Sequence, residues 1–183
     1  MLYKSIFNVV GVVAVVVVLL VGCGGDNGAG VGNGNGNGAD IYGTWVCDTT
    51  MSISSIAYDV TYTYTFKRDG TYEYSGTSNS NNSSISGRAK YRGTFTTDGS
   101  NITITIKETY AYADPESIFP EGWYNEKQYV EAYKQYYYGQ TGIQLTAQQE
   151  AAQSLLFSPI TYTYSVSGNT LRLGNGILVF TKK

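Results

Sequence analysis

The side chains able to do acid–base or nucleophilic chemistry are few in this chain and badly spaced for it. There is no histidine, which excludes Ser–His and Cys–His pairs and the commonest zinc ligand, and leaves no side chain that titrates near neutrality unperturbed. The acids Asp59, Glu73, Glu108, Glu116, Glu121, Glu126, Glu131 and Glu150 are scattered, mostly on polar positions. A glycosidase-type pair needs two carboxylates roughly 5–10 Å apart in one groove, and no spacing here converges on that. The polar type in excess is tyrosine, 18 of 183 residues, whose phenol both packs and hydrogen-bonds. The inventory suits binding rather than catalysis: an enzyme, a catalytic residue, a cofactor and a metal are all not expected.

The two cysteines differ in setting. Cys23 ends an apolar run, Val9 to Val21, that follows the single charge of Lys4. That is the layout of a secretory signal. Counted from Ser5 the stretch reaches 18 residues, short of the roughly 20 a membrane-spanning helix needs. Leu20-Val21-Gly22-Cys23 resembles the lipobox of bacterial lipoproteins. The resemblance implies cleavage of residues 1–22, acylation of Cys23 by chains such as palmitate, and a cell-envelope location. With Gly24 rather than an acidic residue after the cysteine, it implies the outer rather than the inner membrane. If Cys23 carries lipid, Cys47 has no partner within the chain, and a small buried apolar role is expected for it.

Loss of residues 1–22 removes Lys4 and no acid, so 11 cations face 14 acids and the mature charge is −3. A mildly acidic chain without a basic patch is a poor nucleic-acid binder. Residues 24–40 are almost entirely Gly, Asn, Ala and Asp and bury nothing, so a flexible tether is expected, spanning roughly 20–25 Å at 5–6 Å times the square root of its length. Residues 41–183 suit one domain, and a monomer is expected.

The elements that must position the tyrosines read as β. Ile56, Tyr58, Val60, Tyr62, Tyr64 and Phe66 alternate with Ala57, Asp59, Thr61, Thr63 and Thr65, the period of a strand with one buried face. Asp69-Gly70, Asp98-Gly99 and Ser167-Gly168-Asn169 mark tight turns. Eight strands are expected: Tyr42–Asp48, Ile56–Phe66, Thr71–Ser78, Gly87–Thr97, Asn101–Tyr112, Ile160–Val166, Thr170–Leu173 and Ile177–Lys182. Short turns make neighbours antiparallel, and closure would remove exposed edges, so an up-and-down barrel is the expected architecture. Between strands five and six, residues 114–158 break the pattern. Tyr129, Val130, Tyr133, Tyr136 and Tyr137 recur at helical steps, and Thr146 with Gln149 forms a capping signature, which predicts a two-helix insert.

The order of these pieces resembles the lipocalin-like domains of bacterial lipoproteins: Gly43-Thr44-Trp45, then Thr65-Phe66-Lys67-Arg68-Asp69-Gly70-Thr71-Tyr72, then Gly93-Thr94-Phe95 with Asp98-Gly99, then Tyr164-Ser165-Val166-Ser167-Gly168-Asn169-Thr170-Leu171. The resemblance implies that Trp45 plugs the closed end of the barrel and that a late cation packs on it, Arg172 or Lys182. The family's helix follows the last barrel strands, so the insert departs from it.

Ten tyrosines share the apolar parity of their strands: Tyr58, Tyr62, Tyr64, Tyr72, Tyr74, Tyr91, Tyr110, Tyr112, Tyr162 and Tyr164. Each buried phenol left without a hydrogen bond costs about 1–3 kcal/mol, so some must reach a mouth or a polar guest. An eight-stranded barrel can be filled by side chains or hold one small ligand, and both readings stand. The ligand reading predicts a pocket for a small apolar or amphiphilic molecule lined by Tyr58, Tyr62, Tyr64, Tyr91, Tyr110 and Tyr162 and covered by the insert. The alternative is a non-catalytic envelope protein that meets its partner through aromatics exposed on the insert.

Overall fold

The computed structural model describes residues 40–53, 56–80, 86–112 and 119–183. The signal segment, Cys23 and tether residues 24–39 lie outside the described residues, as do residues 113–118 at the start of the insert. The elements are β1 (Gly43–Ile53), β2 (Ile56–Phe66), β3 (Thr71–Ser80), β4 (Ser86–Asp98), β5 (Asn101–Ala111), β6 (Gly122–Asn125), α1 (Glu126–Thr141), α2 (Ala147–Ser154), a 3-10 turn (Leu155–Phe157), β7 (Ile160–Ser167), β8 (Thr170–Leu173) and β9 (Leu178–Lys182).

Eight antiparallel strands close on themselves in the order β1-β2-β3-β4-β5-β7-β8-β9, with β9 returning to β1. The expected eight-stranded up-and-down barrel with a two-helix insert is therefore the fold. β6 is additional: it lies inside the insert and pairs with the far half of β5, Glu108–Ala111, while β7 pairs with the near half, Asn101–Ile104.

The chain enters at one end, where Trp45 lies. Neighbouring strand termini are bonded to one another around this rim: Phe95 N donates to Gly70 O at 2.8 Å, Tyr164 N to Ser100 O at 2.7 Å, Lys182 N to Asn169 O at 2.8 Å, and Lys183 N to Thr44 O at 2.9 Å. Backbone groups at strand ends would otherwise need water, so this seam closes the Trp45 end. Asp40, last of the predicted tether, is also held there. Its Oδ1 accepts Tyr42 N at 3.1 Å and its Oδ2 meets Arg68 at 2.5 Å.

The opposite end, the mouth, is less complete. The β1–β9 register consists of Trp45–Lys182 and Val46–Thr181, whereas β1 runs on beside β2 to Ile53. The wall of β1 to β4 therefore stands taller than that of β7 to β9. Both ends of the insert join the barrel at the mouth. Its helices start at reciprocal caps: Asn125 and Gln128 bond ahead of α1, and Thr146 and Gln149, the pair expected from the sequence, ahead of α2. Lys134 ties the two helices, meeting Glu131 at 3.8 Å and Glu150 at 3.2 Å.

Candidate functional site

The barrel interior follows from strand register, because residues paired across neighbouring strands face the same side. At the level where the chain enters, one row runs Phe66, Tyr72, Gly93, Ile106, and the next runs Trp45, Tyr64, Tyr74, Tyr91, Thr109. Towards the mouth the rows become Cys47, Tyr62, Gly76, Ala89, then Thr49, Val60, Ser78, Gly87, then Met51, Tyr58, Ser80. The inner face thus passes from large rings to small side chains. On β3 and β4 nothing inward beyond the Tyr74–Tyr91 pair is larger than serine, and no residue in the three mouth rows is charged.

The lower rows are packed. Trp45, Tyr72, Tyr74, Phe66, Phe180, Ile102, Leu171 and Leu173 are the largest fully buried side chains. Trp45 is 0% exposed and its indole N–H donates to Ile41 O at 2.6 Å. Lys182 places its ammonium 5.2 Å from the Trp45 ring centre, so of the two late cations it is Lys182 that meets the tryptophan. Tyr64 meets Phe66 at 5.5 Å and Phe180 edge-on at 5.5 Å, and Phe66 meets Phe95 at 4.9 Å.

Between packed rings and small residues lies a layer of phenols. Tyr74 stacks on Tyr91 at 5.3 Å and 9°, and faces Tyr62 at 6.4 Å and 25°. The Tyr74 side chain extends over Gly76: a Cβ there would sit 2.5 Å from the Tyr74 hydroxyl, so this position must stay glycine for the ring to lie as it does. Tyr62 and Tyr74 are 3% and 2% exposed, and neither hydroxyl has a hydrogen-bond partner. Burial, reinforced by neighbouring phenols including Tyr162, holds Tyr64 and Tyr74 well above the usual tyrosine range. Tyr72, Tyr91 and Tyr62 shift the same way, again chiefly by burial. These phenols are neutral donors at any physiological pH.

Of the six tyrosines singled out from the sequence, Tyr62, Tyr64 and Tyr91 are brought together in this layer. Tyr162 joins it from β7, half-buried and raised by burial. Tyr58 stands half-buried in the outermost mouth row. Tyr110 does not join them. Between Arg92 and Gly93 the β4–β5 register shifts by one residue, so Gly93 faces Ile106 while Arg92 faces Glu108. The extra residue, Lys107, reverses the parity of β5. Thr109 then points inward and Tyr110 outward, its hydroxyl donating to Glu121 at 2.7 Å and its ring meeting Trp123 at 5.1 Å. The bulge depends on Gly93, whose Cβ would lie 2.0 Å from Thr105 O. Glu108 carried the signal: unbroken alternation from Ile106 to Tyr110 would have buried a carboxylate.

Two residues absent from the six, Tyr72 and Tyr74, belong to the layer, and a third, Tyr129, comes from the insert. Tyr129 is 8% exposed and part of the barrel core. It stacks on Phe119 at 5.1 Å and meets Phe157 at 5.7 Å. Its phenol is pushed up to about 12 by burial, and it lies near enough to raise that of Tyr91 as well. The insert therefore borders the phenol layer from the β5 side. It also encloses a separate groove of about 660 Å³ between α1, α2 and the β5 bulge, lined by Ile106, Lys107, Val130, Lys134, Glu150 and Phe157 among others; none of the six tyrosines lines it.

Cys47 is buried on the inner face, and Cys23, the other cysteine of the chain, lies outside the described residues. Among the described residues no cluster of three metal-ligating side chains occurs. Comparison with known protein families, curated proteins and solved structures returns no match.

Proposed function

We propose that this protein is a lipid-anchored, non-catalytic binding protein of the cell envelope, held by Cys23 to a membrane, the outer one in a two-membrane envelope. In this reading the barrel takes one small apolar or amphiphilic molecule at its mouth. What carries the reading is the gradient along the inner face. Wide rings fill the rows near Trp45, while β3 and β4 present only Gly76, Ser78, Ser80, Gly87 and Ala89 inward at the mouth. A fold that needed only stability would keep large side chains to the end of its strands, because each buried large apolar side chain contributes about 1.5–3 kcal/mol. The uncharged lining suits an apolar body, and the wall missing between β9 and the far half of β1 gives lateral access.

The test is uptake of a neutral fluorescent probe, 1-aminoanthracene, by the full chain in nanodiscs, with empty nanodiscs correcting for partition. Saturable binding that Ala89→Leu weakens about tenfold or more is expected, since a side chain added to a snug apolar site displaces its guest. Absence of saturable binding defeats the reading. The anchor is tested separately by intact mass. A thioether lipid at Cys23 and a disulfide from Cys23 to Cys47 consume the same sulfur, so a chain whose two cysteines are joined to each other is not lipidated. Tyr138, Ile143 and Leu155 of the insert are 56%, 63% and 67% exposed, which favours a second reading, a contact surface for an envelope partner. Its mark would be loss of cross-linking to that partner on replacing these three by serine, with probe binding unchanged.

A further inference from the structure

Resting on that reading, we infer that the guest is a neutral molecule whose inner end carries a hydrogen-bond acceptor, and that Tyr62 and Tyr74 are the residues that position it. Both hydroxyls are buried, lack a partner in the protein, and belong to the layer where the packed rings give way to the small residues of the mouth. A buried hydroxyl without a partner is costly, and native interiors rarely keep one; two on facing rings, with centres 6.4 Å apart, mark the floor of the small-residue rows as the point where a second molecule, once it parts the packing over Gly76, supplies the acceptor. The site sets the charge of that molecule. Tyr62 is flanked by Cys47 and Gly76, and the rows above offer Thr49, Val60, Ser78, Gly87, Met51, Tyr58 and Ser80. Among the described residues no cation belongs to these rows, and Lys182 is drawn to Trp45 at the closed end. A carboxylate or phosphate brought here would be desolvated without a counter-charge, a far larger penalty than one hydrogen bond recovers. A ketone, ester or alcohol oxygen accepts from a phenol with no such cost. The aromatic floor favours a flat or slender apolar body behind it.

The experiment displaces 1-aminoanthracene from the full chain in nanodiscs with three guests of equal chain length, 2-decanone, decane and decanoate, each corrected for partition into empty nanodiscs. Decanone should displace the probe at roughly tenfold lower free concentration than decane, the equivalent of one good hydrogen bond, and decanoate should be the weakest. In the Tyr62→Phe, Tyr74→Phe double variant the probe should still bind, while the preference for decanone over decane falls to about twofold or less. Equal displacement by decanone and decane in the unaltered chain overturns the inference, as does a double variant that keeps the preference. Tight decanoate displacement overturns it too. A probe that never binds the unaltered chain fails the proposed function itself, so the two failures are distinguishable.

Discussion

The two halves of the barrel interior are built from the same strands to opposite specifications. Near Trp45, β2 and β3 contribute Tyr64, Phe66, Tyr72 and Tyr74, and β8 and β9 close over them with Leu171, Leu173 and Phe180, all nearly inaccessible. Two rows further on, the same β3 contributes Gly76 and Ser78, and β4 contributes Ala89 and Gly87. Backbone bonding differs in parallel. The Trp45 rim is tied by a seam of strand-end hydrogen bonds, while at the mouth β1 extends beyond the reach of β9. Cohesion is thus concentrated in one half, which leaves the other free to be shaped for something other than packing. Elements that bind ligands are commonly the less stable part of a domain for this reason.

Alkali should separate the halves most strongly. Tyr64, Tyr72, Tyr74 and Tyr91 all have folded-state values above the ordinary one near 10, because burial penalises the phenolate. The folded chain therefore holds protons that the unfolded chain releases. Their contribution to stability is fully present below pH 10 and is lost as pH rises through and beyond it. Each such phenol costs about 1.4 kcal/mol per pH unit above that point. Denaturant midpoints should be flat to about pH 9 and drop steeply above pH 10, with the ultraviolet titration showing a tyrosine class that ionises only on unfolding. A gradual titration of every phenol near 10 would mean that the floor is wet.

Trp45→Ala should be the most damaging single substitution in the packed half, at about 3–5 kcal/mol, the range for deleting a large core aromatic. It removes a fully buried ring, the indole bond to Ile41 and the seat of Lys182. Chemical denaturation measures it. A loss below about 1 kcal/mol would show that the closed end is held by its backbone seam rather than its rings.

How much of this was legible in the sequence differs between the halves in the same way. The period-two runs and the Asp-Gly turns predict the strands and their order, because each depends on local chemistry, while the closed end at Trp45 was implied by the lipocalin-like resemblance. The insert helices were legible from Asn125 to Tyr138 and from the Thr146 cap. The bulge at Lys107 was legible only as a carboxylate, Glu108, on the apolar parity; its position depends on Thr105 approaching Gly93 on the neighbouring strand, and it moves Tyr110 and Tyr112 to the outer wall. The mouth was only half legible. Tyr62 shows as inward from its own strand, but that small residues, Gly76 and Ala89, share its row is a matter of register between strands.

The outer wall offers a smaller test of the same contrast. Trp123 lies there beside Tyr110, with Lys90 at 5.2 Å and Arg92 at 4.2 Å from its ring centre. Cation–aromatic contacts at exposed sites are worth about 0.5–1 kcal/mol each. Trp123→Ala should therefore lower stability by about 1–2 kcal/mol and leave probe affinity unchanged. Lost probe binding would place the site outside the barrel, where the insert meets β5, and would end the inner–outer distinction.

The smallest expected effect has an unusual sign. Tyr62→Phe and Tyr74→Phe each remove a hydroxyl that is buried and unpartnered while keeping the ring and its stacking. In a site that exists only to be packed, losing such a hydroxyl relieves a desolvation cost of about 1–3 kcal/mol, though the rings adjust and part of the gain is spent on re-packing. Each variant should be more stable than the unaltered chain by about 1 kcal/mol when no guest is present, seen as a rise in denaturation midpoint without a change in slope. In the presence of saturating 2-decanone this gain should shrink by about half, because a ligand stabilises the fold in proportion to how tightly it binds, and the unaltered chain binds it more tightly. A residue whose removal helps the empty protein more than the loaded one is retained for the guest. If both variants instead lose stability when empty, the two hydroxyls already have partners in solution, and the mouth half differs from the Trp45 half in size of side chain but not in purpose.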